Sequence, residues 1–255
     1  SLLTDDKHPE KVAVVGAGPA GLSCAYQLAR RGYGVTVFEA FSKPGGMLRY
    51  GIPRYRLPRQ VLDAEIGRIT ELGVELKCNF IIGKDISLDD LKEQYQAVFV
   101  GIGAHKGFKL RVPGEDAPNV YTGTEFLNRV NSGDEVKVGG KVIVIGGGDT
   151  AIDAARISKR LGAQSTILYR RTRAEMPAIA PEIEGALEEG VAIEFLAAPV
   201  EILVKDGVAV GMKCIRMELG DPDESGRRSP VPVEGSESIM EVDTVITAIG
   251  FSANT

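Results

Sequence analysis

Residues 12–21 read Val12-Ala13-Val14-Val15-Gly16-Ala17-Gly18-Pro19-Ala20-Gly21. A short run of small and β-branched apolar residues is what a parallel strand buried on both faces shows. Three glycines at the spacing G-x-G-x-x-G follow it. Beyond them Leu22, Ala25, Leu28 and Ala29 recur at helical spacing, and Gly32 stands where a helix would stop. Val35-Thr36-Val37-Phe38 reads as a second strand with Glu39 at its end, 18 residues past Gly21. The first glycine permits a tight turn, the second lets backbone approach a pyrophosphate, and the third lets helix and strand pack closely. The helix N-terminus supplies amide hydrogens and positive dipole to phosphate, and an acid at this distance accepts hydrogen bonds from ribose hydroxyls. Gly16, Gly18, Pro19, Ala20, Gly21, Glu39 and Ala40 are therefore candidate cofactor-binding residues.

The arrangement repeats 130 residues later. Val142-Ile143-Val144-Ile145 precedes Gly146-Gly147-Gly148-Asp149-Thr150-Ala151, and Ile152, Ala155, Ile157 and Leu161 line the next helix. Alanine is an accepted third residue of the fingerprint. Gly146, Gly148, Asp149, Thr150 and Ala151 are candidates here. The following strand, Thr166-Ile167-Leu168-Tyr169, ends without an acid and leads into Arg170-Arg171-Thr172-Arg173. A carboxylate there would repel a 2′-phosphate, whereas guanidinium groups pair with it; the plain alternative is a solvated basic turn. Two sites of opposite polarity suggest two dinucleotides. The acid fits FAD and the arginines fit NADPH, a pairing that makes a hydride relay.

The rest of the composition narrows the class. The chain has 255 residues, with 30 basic and 35 acidic side chains and a formal net charge of −5. No concentrated basic surface is expected, which argues against a nucleic-acid footprint. No apolar run reaches membrane-spanning length, and residues 1–10 lack the pattern of a secretory signal. Three dispersed cysteines without a CxxC fit a reducing cytoplasm rather than a disulfide framework or a zinc site. No metal site is expected. His8 is expected in a tail and His105 in a surface loop, and Cys24 as a packing residue of the first helix.

Between the glycine units, Arg59 to Leu72 has helical spacing, and Ser87-Leu88-Asp89-Asp90 reads as a capped helix start running to Tyr95. Ala97 to Gly103 reads as a buried strand ending in glycines, and Thr244 to Gly250 repeats that pattern; each would deliver backbone close to a dinucleotide. Gly101, Ile102 and Gly103 are candidates on this ground. Lys205-Asp206-Gly207 marks a hairpin between Val200 and Glu218. Gly220 to Ser229 reads as a solvent loop.

The stretch Gly45-Gly46-Met47-Leu48-Arg49-Tyr50-Gly51-Ile52-Pro53, then Arg56-Leu57-Pro58, resembles the small subunit of NADPH-dependent glutamate synthase and its relatives. These relatives include the large subunit of ferredoxin:NADP transhydrogenase and the flavin–NADPH part of dihydropyrimidine dehydrogenase. Arg111 to Asp116, Tyr169-Arg170-Arg171 and Glu175-Met176-Pro177-Ala178 also match, so the resemblance runs from about Lys11 to the end. It implies that Gly45, Gly46, Met47 and Leu48 pass along the flavin and that Arg56 sits near FAD phosphate. It also implies Arg170 and Arg171 at the 2′-phosphate, and Ala248, Ile249 and Gly250 at the cofactor.

The expected architecture is α/β, with two Rossmann-like dinucleotide-binding domains in a glutathione-reductase-like arrangement. The first part of an FAD domain is expected over 1–112, an NADPH domain over 113–250, and the start of a return to the FAD domain over 251–255, its C-terminal part lacking. The resemblance implies a flavin-dependent oxidoreductase passing electrons to or from an iron–sulfur partner, either a large subunit or a ferredoxin. Family members carry a cysteine-rich N-terminal extension that has no counterpart before Lys11. No side chain is nominated as a catalytic acid or base, because the cofactors carry the chemistry. The competing readings are a thioredoxin-reductase-like disulfide reductase, which would need a thiol pair such as Cys78 with Cys214, and a non-catalytic NADP-binding module.

Overall fold

The computed structural model describes Thr4, residues 6–224 and residues 226–253. Asn254 and Thr255, at the end of the expected return segment, lie outside the described residues. The chain divides into two compact units, one running to His105 and taking in Ala253, the other spanning Lys106–Ser252. Residues 106–112 thus fall in the second unit.

The first unit contains β1 (Lys11–Val15), α1 (Pro19–Arg30), β2 (Gly34–Phe38), α2 (Met47–Tyr50), α3 (Arg59–Thr70), β3 (Glu75–Lys77), α4 (Leu88–Gln94) and β4 (Ala97–Val100). Its sheet has the order β3-β2-β1-β4 with every pair parallel. Parallel neighbours require crossovers, and α1 is the one between β1 and β2. Leu22, Ala25 and Ala29 of α1 and Leu62 and Ile66 of α3 are buried with Val14 and Val37 on one face of the sheet. Each fully buried branched side chain of this kind stabilises by about 1.5–3 kcal/mol. On the other face Leu91 of α4 is buried with Ala13, Val15 and Phe38. The Ser87–Asp90 capping box expected at the start of α4 is present.

Two expectations for this unit change. The strand read over residues 97–103 ends at Val100, and it lies at the sheet edge with Phe99 and Val100 exposed instead of buried. Apolar composition reports suitability for a sheet interior, whereas burial depends on what flanks the strand, and β4 pairs with β1 alone within this sheet. His105, expected in a surface loop, belongs to the short strand β5 (Ala104–Gly107). It is half-buried, with its ring 5.7 Å from that of Phe41, and burial pulls its pKa down. His8 is exposed and stacks on Tyr33.

The second unit has β6 (Val120–Thr122), α5 (Gly123–Ser132), β7 (Lys141–Ile145), α6 (Asp149–Arg160), β8 (Gln164–Tyr169), α7 (Ala180–Glu188), β9 (Ala192–Phe195), β10 (Ala197–Lys205), β11 (Val208–Pro222), β12 (Arg228–Pro232), β13 (Ser238–Glu241) and β14 (Thr244–Thr247). A final short strand, β15 (Phe251–Ala253), follows. The parallel sheet has the order β6-β14-β7-β8-β9. Helices α5, α6 and α7 bury Phe126, Ile152 and Ile183 against one face. An antiparallel arm, β10-β11-β12 with β13 also on β11, buries Ile202, Met212 and Cys214 against Ile143, Ile145 and Leu168 on the other.

The hairpin at Asp206-Gly207 forms as expected, with both residues at positive φ (52° and 81°), as the tight primed turn requires. The solvent loop expected over residues 220–229 is a correction. β11 continues through Pro222 and β12 resumes at Arg228, so residues 220–222 and 228–229 are strand. The polar composition there reflects a two-stranded extension with both faces wet, and Leu219 pairs with Pro230 within it. Among the described residues no helix is long and apolar enough to cross a membrane.

Candidate functional site

In the first unit the first and third glycines of the turn leave no space for a side chain. Gly16 has φ +99°, and a Cβ there would lie 2.5 Å from the Gly101 carbonyl oxygen. A Cβ on Gly21 would lie 1.8 Å from the carbonyl oxygen of Gly16. The Gly45-Gly46 turn closes onto the same place: the Gly45 N–H donates to the Ala17 carbonyl at 2.8 Å, and a Cβ on Gly46 would come within 2.7 Å of Gly18 Cα. The structure thus brings Gly16, Gly18, Gly21, Gly45, Gly46 and Gly101 together as bare backbone. Pro19 and Ala20 form the first turn of α1, and Met47 and Leu48 the start of α2.

Glu39 is 5% exposed, and its two carboxylate oxygens accept the N–H groups of Ala17 (2.8 Å) and Phe41 (2.9 Å). A carboxylate oxygen can accept more than one hydrogen bond, so both retain capacity for ribose hydroxyls. Ala40 is exposed next to it, Ile102 is exposed beyond β4, and Gly103 has φ +68°. Arg56 is half-buried in the turn that follows Pro53, to whose carbonyl its N–H donates. Sequence reasoning missed the two arginines that shape this loop. Arg49 pairs with Asp63, while Arg59 donates to the carbonyls of Leu48 (3.2 Å) and Ile52 (2.9 Å). Arg49 lies in α2 and Arg59 opens α3, and neither position carries a local sequence signal for a side chain that donates to loop carbonyls.

The second unit repeats the device with a difference. A Cβ on Gly146 (φ +141°) would lie 2.2 Å from the Ala248 carbonyl oxygen, and one on Gly147 2.4 Å from the Tyr169 ring. A cleft of about 580 Å³ opens over this turn. It is lined by Gly146, Gly148, Thr150, Arg170 and Arg171, and by Ala248, Ile249 and Gly250, all expected from sequence. Asp149 and Ala151 are not on its wall. Asp149 accepts the Ile179 N–H at 3.1 Å, fastening the segment before α7 to the start of α6, and Ala151 is fully buried. The wall also includes Gly147, Tyr169, Pro177, Arg227 and residues 197–199, none of them foreseen. Tyr169 is held by its hydroxyl, which donates to the Glu175 carbonyl at 2.7 Å. Residues 197–199 and Arg227 belong to the antiparallel arm, which leaves no nucleotide motif in the sequence.

Arg170 is exposed, whereas the Arg171 side chain is 5% exposed and pairs with Asp223 at 2.6 Å. All three cysteines are free. Burial pushes each thiol pKa up, that of Cys214 to about 11, which is the opposite of what a thiolate nucleophile needs. Among the described residues no group of three His, Cys, Asp or Glu is placed to hold a metal ion.

The model of the family described as pyridine nucleotide-disulphide oxidoreductase matches residues 10–255. The chain is 50% identical over 248 residues to the NADPH-Fe(3+) oxidoreductase subunit beta of Geobacter sulfurreducens, which covers 94% of this chain and 37% of that protein. It is 41% identical over 255 residues to the glutamate synthase [NADPH] small chain of Escherichia coli, covering 95% of this chain and 54% of that one. The chain thus spans roughly a third to a half of the curated relatives it matches, and both names denote one subunit of a larger assembly. Among solved structures, Mycobacterium tuberculosis FprA in complex with NADPH superposes with a TM-score of 0.84 at 20% identity, over 96% of this chain and 71% of that one.

Proposed function

Because the chain belongs to the pyridine nucleotide-disulphide oxidoreductase family, we propose that it is an FAD-dependent NADPH oxidoreductase module of the glutamate synthase small-subunit type. Its first unit takes FAD and its second takes NADPH. The observation that carries the reading is the cleft of the second unit, floored by Gly146, Gly147 and Gly148 and ending at Tyr169-Arg170-Arg171.

The residues present fit both groups. In the first unit a Cβ on Gly16 would press into the backbone of Gly101 and one on Gly46 into that of Gly18, and α1 directs its N-terminal amides and dipole there. Glu39 would hold a ribose, Arg56 a phosphate, and residues 45–48 and 101–103 would approach the ring system. In the second unit α6 begins under the cleft, so its first turn would meet the pyrophosphate. Thr150 and the backbone of residues 248–250 would flank the nicotinamide half. Arg170 would pair with a 2′-phosphate, on a wall that Arg171 helps to build. When bound, the flavin supplies the exchange between hydride transfer and single-electron transfer. The protein contributes binding, orientation and electrostatics, and no side chain of either site is required as an acid or base.

The relatives' names place their enzymes in assemblies, which supports a partner that receives or delivers electrons, an iron–sulfur subunit or a ferredoxin. Free cysteines support action in a reducing cytoplasm. A disulfide-reductase reading is disfavoured by the raised thiol pKa values.

The test is an anaerobic visible spectrum of the purified chain supplied with FAD, before and after NADPH or NADH. A retained flavin band bleached faster by NADPH than by NADH is expected. A protein that stays colourless would reduce the function to nucleotide binding, and equal rates would remove the arginine-based preference.

A further inference from the structure

Residues 170–179 join β8 to α7, and Arg170, Arg171 and Pro177 of this segment stand on the wall of the second unit's cleft. Its regular part is a single 3₁₀ turn, Arg173–Glu175, too short to hold itself in place. Polar links do so at both ends. At the start, one carboxylate oxygen of Glu175 accepts the Thr172 N–H at 3.1 Å and the Thr172 hydroxyl at 2.5 Å. The Glu175 N–H donates to the Thr172 carbonyl at 3.2 Å, and the Glu175 carbonyl accepts the Tyr169 hydroxyl at 2.7 Å. At the end, the Ala178 N–H donates to the Gly147 carbonyl and the Ile179 N–H to Asp149, each at 3.1 Å. Met176 and Ala178 are buried in the core of the unit. Glu175 thus closes the turn with its side chain, its N–H and its carbonyl.

The turn has one exposed cation to place. Arg171 pairs with Asp223 and Arg173 with Glu184, whereas Arg170 is exposed on the cleft wall. The Arg170 backbone is bracketed on both sides. Tyr169 before it is pinned by its hydroxyl and packs its ring where a Cβ on Gly147 would lie. Arg171 after it accepts the Leu196 N–H through its carbonyl at 3.2 Å. A carboxylate this near to arginines in sequence could rival a phosphate for them. Here Thr172 engages it, and that hydrogen bond holds the Glu175 carboxyl below the usual carboxylate range.

We infer that Glu175 is a positioning residue for Arg170: by closing the turn over residues 169–176 it fixes the point from which the Arg170 guanidinium reaches the 2′-phosphate of a dinucleotide. This rests on the NADPH reading of the second unit. A guanidinium carries the planar donor fork that phosphate oxygens match, but the long side chain behind it loses freedom when the fork engages. A backbone already held in place leaves less freedom to lose on binding. Because the Glu175 carboxylate is taken by Thr172, the turn is closed without neutralising the cation it presents.

Calorimetric titration of the full chain with adenosine 2′,5′-bisphosphate and with 5′-AMP tests this. The wild type should prefer the bisphosphate. Glu175→Ala should weaken the bisphosphate by about fivefold, the worth of a lost cap, and leave 5′-AMP unchanged. Glu175→Gln should restore most of the loss, because glutamine can reach back to the same N–H. In the Arg170→Ala background Glu175→Ala should have no further effect, whereas a merely structural role would lower affinity equally in both backgrounds. If Glu175→Ala fails to fold, Thr172→Ala removes the hydroxyl donor from the same carboxylate and carries the test with the same pattern expected. Unchanged bisphosphate affinity, an equal loss for both ligands, or a loss that adds to that of Arg170→Ala overturns the inference and leaves the NADPH reading intact. A wild type without the preference overturns the NADPH reading, and this inference with it.

Discussion

The two glycine turns solve one problem twice, and they differ at each point where a side chain had a choice. In both, the first glycine lies under the carbonyl oxygen that follows a neighbouring strand, Gly101 for Gly16 and Ala248 for Gly146. In both, a second segment closes over the turn through a hydrogen bond: Gly45 N–H to Ala17 in one, Ala178 N–H to Gly147 in the other. The third position separates them. A Cβ on Gly21 would overlap the Gly16 carbonyl at 1.8 Å, whereas the Cβ of Ala151 sits at ordinary contact, 3.4 Å from where a Cβ on Gly146 would be. The strand ends separate them too. Glu39 is drawn inward to fasten two backbone amides, whereas the second unit presents Arg170 outward and uses Arg171 to hold its arm. Backbone geometry is therefore what the motif conserves between the units, and polarity is what distinguishes them.

The sharpest break of this comparison exchanges the third position. Gly21→Ala should destabilise the first unit by about 3 kcal/mol through overpacking and abolish flavin retention. Ala151→Gly should cost only about 1 kcal/mol and leave NADPH binding in place; urea unfolding of the two variants reads both effects. If both substitutions cost the same, the turns are closer copies than their packing indicates. Next come the polarity readers. Glu39→Gln should weaken FAD by roughly tenfold or more, by the worth of hydrogen bonds to a charged group, with NADPH unaffected, as followed by flavin fluorescence. Arg170→Ala should do the reverse, weakening NADPH by roughly tenfold or more without changing NADH. A Glu39→Gln variant with normal FAD affinity would make the acid a turn fastener alone.

The smallest effect concerns the thiols. At pH 8, iodoacetamide should modify the half-buried Cys24 and Cys78 before the buried Cys214. Because the folded pKa of Cys214 is raised from 9.0 to about 11, its contribution to stability is complete below pH 9 and is lost as pH rises to about 11. The decline in unfolding free energy over that window should be shallower in Cys214→Ala. An unchanged slope would show that Cys214 does not ionise on unfolding in that range.

Much of this was legible in the chain. β1, α1, β2, β7, α6 and β8 stand where apolar period and glycine spacing put them, because their burial pattern follows from local periodicity and a turn that only glycine permits. The opposite polarity of the strand ends was legible for the same reason, since Glu39 and Arg170 directly follow their strands. Sequence alone therefore determined that two dinucleotide-type turns exist and which charge stands beside each. Tertiary structure alone decided the edge position of β4, the extension of the arm through residues 220–222, and the approach of residues 197–199 and Arg227 to the cleft. It also decided that Asp149 is engaged by the Ile179 N–H and Ala151 is buried, neither of them on the cleft wall, and that Arg171 is occupied by Asp223, 52 positions away. The physical reason is range: period and turn chemistry act over a few residues, whereas burial and ion pairing depend on which distant segment arrives beside a side chain once the sheets have formed.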